Sequence, residues 1–495
     1  MTLQSFPSEL IEAICLGLSA QDIGSLRLTC HAMRSKATQD HYKSFFVKQR
    51  INFSEQKLKA FVDLTNAQDS VVSLVEELTI IGDVNNTMML EKVVANGSKV
   101  ITKQQGVFTT STEHRLSETE LDDARENLEI LTRRQDEQQD LRRTRKDVDL
   151  LAEALQNLQG KGLRLITLEV RVFEEDASNG SPPVAGGNWR PIWTRAAEVL
   201  EATVATLAKS KFLLQELDAF SELRRCAVPC DEVGNIKFHG ENLKVALHSL
   251  TAFSISTSNR ILNQLQDDTP DLRMKNNPDG SPVNPLIPVV PAHDPDVLRA
   301  QATGEANFTG LPKLLNLCGN LEKLDLHFYV LNTPGLQQNE LHLDQIFHHV
   351  AKNAAFPKLH SLRLRGFHLH MADLLSFVQA SPMRMLVLQN LYLESGTWQP
   401  LFNHCTADGN AMEFLFFDDL FENHQLLYFS GEGDGKPKFE TLCGTQRKNT
   451  LVRRKREDVG RNISYHFATE RPYGSPECWM WNQARKREYG PPQGF

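Results

Sequence analysis

Cysteine is scarce: 8 residues in 495, at positions 15, 30, 226, 230, 318, 405, 443 and 478. They are too few and too scattered for a disulfide framework, and they point to reduced thiols in a cytosolic or nuclear protein. No uncharged apolar run reaches the roughly 18 residues that a membrane-spanning helix needs. The opening MTLQSFPSELIEAICLGL has no basic n-region and carries Glu9 and Glu12, which argues against a secretory signal. Positive charge is not in excess. Lys+Arg number 54 against Asp+Glu 62, a net charge of -8, so a surface built throughout for nucleic acid is disfavoured. Familiar catalytic signatures are also missing. There is no G-x-x-x-x-G-K-[ST], no helix-opening G-x-G-x-x-G, no G-x-S-x-G and no H-E-x-x-H. These absences lead to the expectation of a soluble, non-enzymatic chain of the cytoplasm and/or nucleus, with no catalytic residue, cofactor or bound metal and no membrane contact.

What is present is ordinary globular composition, 40% hydrophobic and 23% charged. At roughly 150 residues per domain, the length fits about three domains, or one elongated repeat domain with attachments. Residues 6–18, FPSELIEAICLGL, place Phe6, Leu10, Ile11, Ile14, Cys15 and Leu18 on one helix face. Pro7 suits a helix's first turn. Ser19-Ala20-Gln21-Asp22 reads as a variant capping box opening a second helix. A third helical stretch is expected over 31–48. Three short helices make a small core that tends to need a partner surface.

The pattern F-P-S-E-L-I-x-x-I-(x)3-L-(x)3-D-I-x-x-L-R-L-T-C closely resembles the F-box motif. Phe6 stands where the family usually has Leu, which keeps the apolar character. The resemblance covers about a tenth of the chain and implies an adaptor, not an enzyme. F-box proteins dock a Skp-type adaptor, which links them to cullin and RING subunits of a ubiquitin ligase of the SCF type. Carried onto this sequence, the docking residues would be Phe6, Pro7, Leu10, Ile11, Ile14, Leu18, Ile23, Leu26, Arg27 and Leu28. An apolar surface beyond what a small unit can bury agrees with that role.

Further along, residues 83–115 are polar and aperiodic and read as an exposed loop. Residues 118–159 are charged, with heptad-spaced Leu121 and Leu128, then Leu141, Val148 and Leu155, around an apolar-free 132–140. They read as one inserted helix or two helical pieces, solvated in the middle. Residues 174–192 and the Pro-rich 266–310 read as long loops.

One pattern recurs, L-x-x-L-x-L: from Val75, Leu165, Leu250, Leu321, Leu359, Met383 and Met412. Helical segments follow at Leu341–Ala355, Met371–Ala380 and Trp398–His404. Strand followed by helix, repeated, is how a leucine-rich repeat buries a continuous core, although an α/β domain with a parallel sheet shares the local pattern. The phrases NLEKLDL and FPKLHSLRL resemble those of F-box leucine-rich-repeat proteins, in a divergent style similar to fungal members. The fold class expected is therefore α/β. An F-box over 1–50 would precede a leucine-rich-repeat-like solenoid over 51–450 with long insertions, and a basic, aromatic tail would occupy 451–495.

In such strands the leucines face the core and the x positions face outward. That would expose Lys323, Asp325 and His327, Ser361, Arg363 and Arg365, Met385, Val387 and Gln389, and Phe414, Phe416 and Asp418. The candidate substrate-binding set is Lys323, Asp325, His327, Arg363, Arg365, Gln389, Phe416 and Asp418, mixed in charge and better suited to a protein partner than to nucleic acid. Cys226-x3-Cys230 is half a metal site without a second half. His348 and His349, adjacent on a helix, would point about 100° apart and do not easily share a metal, and His368-x-His370 could share a strand face but has no carboxylate or Cys clustered with it locally. From 447 onward Lys/Arg outnumber Asp/Glu eleven to five, with Arg453-Arg454-Lys455-Arg456 as a compact run and Trp479 and Trp481 near Arg485-Lys486-Arg487. That run reads as a solvated face, a nuclear import signal or a nucleic-acid patch. The function expected is a ligase substrate receptor. The alternatives are an F-box scaffold acting outside a ligase, or a nuclear nucleic-acid-associated protein using the basic tail.

Overall fold

The computed structural model describes residues 3–66, 73–105, 108–183, 189–238, 240–262, 295–330, 336, 340–430 and 450–467. The chain forms two compact units, one of Met1–Pro182, Glu198–Ala219 and Gly240–Leu250, the other of Pro183–Ala197, Phe220–His239 and Thr251–Phe495. Each is mixed α/β on mostly parallel strands. No helix among the described residues is long and apolar enough to cross a membrane.

The first unit opens with α1 (Ser8–Cys15), α2 (Ala20–Thr29), α3 (His31–Lys36) and α4 (Asp40–Val47). Ser19 and Asp22 cap α2 reciprocally: Asp22 N–H donates to Ser19 Oγ at 3.2 Å and Ser19 N–H to Asp22 Oδ2 at 3.4 Å. The third helical stretch is two helices, not one. Lys36 Nζ donates to the carbonyls of Gln4 and Phe6 at 2.8 and 2.7 Å, and Glu12 accepts His41 N–H at 2.8 Å. These contacts end α3 and restart the chain as α4, so that Ala37 and Tyr42 reach the same core as Ile11, Cys15, Ile23 and Met33.

Strands β1 (Lys48–Asn52), β2 (Glu77–Asn85), β5 (Leu165–Phe173) and β6 (Glu216–Ala219) pair in parallel, in chain order. Helix α5 (Glu55–Asn66) buries Leu58, Phe61, Val62 and Thr65. It packs on α8 (Lys146–Asn157), which buries Val148, Leu151, Ala152 and Leu155. Both sets step by 3, 1 and 3, the spacing of a single helix face. Residues 83–115 are not a loop: they hold α6 (Met88–Asn96) and an antiparallel pair, β3 (Ser98–Gln105) and β4 (Phe108–Arg115). Their Thr-rich strands lack apolar alternation because the pair stands apart from the main sheet, so periodicity could not reveal them. The charged stretch is two helices, α7 (Glu118–Arg143) and α8, parted at Arg145, whose φ is +56°. Helix α7 is largely exposed over 132–140, although Arg134, Gln135 and Gln138 donate to the carbonyls of Ala177, Asn85 and Asp83. Helix α8 is the packed crossover between β2 and β5, so the 118–159 segment is only partly an insertion.

In the second unit the short β7 (Val228–Pro229) pairs with β8 (Ala252–Ser258). Strands β8, β9 (Lys323–Tyr329), β10 (Ser361–Arg365), β12 (Met385–Ser395) and β13 (Phe414–Glu422) follow in parallel, and β11 (His368–His370) extends the row against β12. Each interval carries helix: Pro295–Ala302 and Ala306–Asn316, Gln345–Asn353, Met371–Gln379 and Gln399–Cys405. The described end of the 266–310 segment is therefore helical; Pro295 opens a helix, where its missing N–H has no partner to lose. The remainder of that segment lies outside the described residues. Antiparallel β14 (Gln425–Phe429) and β15 (Leu451–Lys455) pair with β13 and cover its free edge, and β16 (Tyr465–Phe467) pairs with β14.

The repeat leucines align in register. Phe253, Leu324, Leu362, Leu386 and Leu415 form one buried row, and Ile255, Leu326, Leu364, Leu388 and Phe417 the next. In the first unit, Leu78 and Ile80 pair with Ile166 and Leu168, so the β5 copy begins at Leu163, two residues before the frame read from sequence. A two-residue slip keeps the same face, which is why the pattern still matched. A further copy, Leu214-x-x-Leu217-x-Ala219, was missed because Ala stands in its last apolar position.

One glycine is required. Gly366 has φ +76°, and a Cβ there would lie 2.1 Å from the Phe328 carbonyl oxygen. Gly366→Ala is expected to cost more than about 2 kcal/mol, because strain in the left-handed region adds to a backbone clash. Urea unfolding of the full chain measures it; a loss below about 0.5 kcal/mol would mean the turn relaxes freely.

Candidate functional site

Two surfaces carry the sequence-derived candidates, one on each unit. On the N-terminal helices the ten residues sort by burial. Ile11 and Ile23 are fully buried and belong to the core, so they cannot touch a partner. Phe6, Leu18 and Leu26 are packed against that core. Arg27 turns inward too: its guanidinium lies 4.1 Å over the Tyr42 ring and bonds the Tyr42 hydroxyl, and Nε donates to Thr38 Oγ1 at 2.9 Å. What remains outward is Pro7, Leu10, Ile14 and Leu28, with Leu10 52%, Ile14 42% and Leu28 88% exposed. Burial thus divides a single motif into residues that hold the helices and residues that face solvent.

On the second unit, the outward positions of the parallel strands make three register rows. The first is Lys323, Ser361, Met385, Phe414 and Lys455; the second is Asp325, Arg363, Val387, Phe416 and Arg453; the third is His327, Arg365, Gln389, Asp418 and Leu451. All eight candidate residues lie on this one face. The expectation that they are all exposed holds for only part of it. His327, Arg365, Gln389 and Asp418 are buried, whereas Lys323 is exposed and Asp325, Arg363 and Phe416 are partly so.

At His327 and Arg365 the buried row meets a second layer of the same unit. Arg365 Nη2 donates to the Ser221 carbonyl at 3.1 Å and to both Asp325 oxygens at 3.1 Å. Ser256 Oγ donates to the Phe220 carbonyl at 3.2 Å and lies 3.3 Å from His327 Nδ1. The His327 ring packs on Tyr329 at 4.1 Å, and the Tyr329 hydroxyl accepts Arg225 N–H at 3.0 Å. Burial, with the Arg365 and Arg363 charges, holds the His327 imidazole neutral, well below its ordinary value. Burial pushes the Asp325 carboxyl up, against the pull of Arg365 and Arg363. Arg363 spans the boundary of the buried and open rows, with Gln389 Oε1 at 3.1 Å, Asp325 at 3.4 Å and Glu222 at 3.5 Å. Sequence reasoning missed Ser256 and Glu222. Ser256 occupies the outward step of the Leu250 copy and could have been found by extending the repeat; Glu222 comes from a segment outside any repeat.

The other chemistry-bearing candidates are absorbed by structure. Cys226 and Cys230 are buried and free, and burial raises both thiols, so neither is a ready nucleophile. His348, His368 and His370 each have a carboxylate brought from elsewhere in the chain. His348 Nδ1 lies 2.8 Å from Asp373, His370 Nε2 3.0 Å from Asp344, and His368 Nδ1 2.6 Å from Glu394. Each partner is 25 or 26 residues away, about one repeat, so local spacing could not show it. No group of three or more His, Cys, Asp or Glu among the described residues could hold a metal ion. The basic run is a strand, not a uniform solvated face. Arg453 and Lys455 point outward, while Arg454 is buried and donates to the carbonyls of Val459, Arg461 and Asn462. Trp479, Trp481 and Arg485-Lys486-Arg487 lie outside the described residues.

No protein-family model matches the chain, and no curated protein matches it.

Proposed function

We propose that this chain is a non-enzymatic substrate receptor. Its N-terminal helices, F-box-like in sequence, dock a Skp-type adaptor and through it the cullin and RING subunits of a ubiquitin ligase. Its repeat strands hold a protein target. The observation that carries the reading is the outward apolar set Pro7, Leu10, Ile14 and Leu28, beside a core of only six buried residues. Large apolar groups left in water on so small a unit are best accounted for by a partner. The strict chain order of the parallel strands, each followed by helix, favours a leucine-rich-repeat-like solenoid over a doubly wound sheet, whose order would reverse. The mechanism would be proximity: the receptor brings a target lysine near a ubiquitin-charged enzyme held elsewhere in the complex. The nucleic-acid alternative has less behind it, since Arg454 is occupied by carbonyl groups and the outward rows include Asp325 and apolar side chains.

Co-purification with a Skp-type adaptor tests the reading. Wild type should retain the adaptor, and Leu10→Ser/Ile14→Ser/Leu28→Ser should lose at least tenfold of it while melting at the same temperature. Equal retention by both proteins would overturn docking through this face. Cullin in the wild-type complex separates a ligase receptor from a scaffold that serves no ligase.

A further inference from the structure

The outward face of the second unit changes character along the sheet. On β9 and β10 its first two rows are Lys323, Asp325, Ser361 and Arg363; on β12 and β13 they are Met385, Val387, Phe414 and Phe416. These four apolar side chains form a two-by-two block, each partly exposed. Beyond the block, on the edge strand β15, Lys455 stands opposite Phe414 and Arg453 opposite Phe416. Both cations are exposed, and Lys455 Nζ lies 6.0 Å from the Phe414 ring centroid. Neither has a carboxylate partner among the described residues, in contrast to Arg363, which faces Asp325 and Glu222 on the other flank.

We infer that this face docks an extended, acidic-hydrophobic protein segment, with two neighbouring large apolar side chains on the Met385/Val387/Phe414/Phe416 block and acidic residues against Arg453 and Lys455. The inference rests on the reading of the repeat face as target-binding, but not on adaptor docking. Scale favours a linear segment. Two strands about 4.8 Å apart and two rows about 6.6 Å apart give a block near 10 Å across, far below the roughly 800 Å² per partner of a stable folded interface. From β10 to β15 is three strand spacings, about 14 Å, which four or five extended residues cross. Charge selects the polarity: Arg453 and Lys455 stand on a flank with no carboxylate partner for either among the described residues, whereas Lys323 and Arg363 share the other flank with Asp325 and Glu222, so the acidic end belongs with Arg453 and Lys455. Two open cations on one flank, with Asp325 and Glu222 on the other, do not make a phosphate track, which needs a run of contacts along a backbone.

The test uses the full chain and an array of twelve-residue peptides with a Phe-x-Leu centre, flanked on one side by Asp-Glu pairs or by Lys pairs. Acidic-flanked peptides should bind at least tenfold tighter than the Lys-flanked set, and added salt should narrow the gap. Arg453→Glu/Lys455→Glu should reverse the preference, a result that misfolding cannot produce. Phe416→Ser should weaken both sets. Equal binding of the two sets, or none above background, overturns the inference. Sedimentation showing a dimer in wild type and a monomer in Phe416→Ser overturns it in favour of a second copy as occupant. Adaptor retention is read separately, so its loss leaves these outcomes unchanged.

Discussion

Arg365→Met is expected to cost about 3 kcal/mol at pH 7, toward the lower end of what breaking one side of a buried ion pair costs. Arg365 is 6% exposed, and its Nη2 meets both oxygens of Asp325, whose side chain is 15% exposed. Methionine fills much of the volume but leaves the Asp325 carboxylate with Arg363 alone, at 3.4 Å, and removes the Arg365 hydrogen bond to the Ser221 carbonyl. Because Arg363 persists and Asp325 touches water, the upper end of the range is not expected. Asp325→Leu/Arg365→Met should regain most of the loss, since neither charge then remains.

The pH dependence has a definite sign. Asp325 is already raised above its ordinary value by burial. Removing Arg365 takes away a charge that lowers it, so its folded-state value rises further. A carboxyl raised on folding holds a proton in the folded state at a pH where the unfolded chain, near 3.9, has lost it. Its cost is therefore absent below the unfolded value and complete above the folded one. The Arg365→Met deficit should shrink as pH falls from 7 toward about 4.5. Hydrogen exchange over β9 and β10 at several pH values measures this. A deficit that is flat with pH, or below about 1 kcal/mol, would mean the pair is not buried as described.

Ile11→Ala is the second large effect, at about 2–5 kcal/mol. Ile11 is fully buried in a core of six residues, alongside Cys15, Ile23, Met33, Ala37 and Tyr42. A core that small has little stability in reserve, so a cavity there should unfold the helices locally. Limited proteolysis should cut the variant within residues 3–47 while the parallel strands stay protected. Leu10→Ala, one position away but half exposed, should change stability by less than about 0.5 kcal/mol. Equal protease sensitivity in the two variants would contradict this division of the motif. The contrast also explains why an adaptor test should substitute outward residues only: a variant that includes Ile11 would confuse docking with folding.

The same division runs through the whole chain. Seven copies of L-x-x-L-x-L were legible, and all seven became parallel strands, because an inward residue at every second position is a local property that a two-residue frame slip does not disturb. The capping box at Ser19 and Asp22 was legible for the same reason: both groups lie within one turn. The β3–β4 pair was not, since a hairpin apart from the main sheet needs no apolar face. The candidate face was half legible. Sequence put Lys323, Asp325, His327, Arg363, Arg365, Gln389, Phe416 and Asp418 on one side of the strands, and register brought them into three rows. Only the tertiary structure decided that His327, Arg365, Gln389 and Asp418 are buried while the first two rows stay at least partly open; at Arg365 the covering layer contributes the Ser221 carbonyl.

Sequence by itself determined periodicity, and with it which face of each strand and helix turns inward. Tertiary structure decided how deeply each outward residue lies and what pairs with it. His348 meets Asp373, and Arg454 meets the carbonyls of Asn462 and Val459, across turns of chain whose closure no local pattern encodes. The physical reason is range: side-chain alternation is fixed over two to four residues, whereas burial and charge pairing depend on which distant segment packs on top.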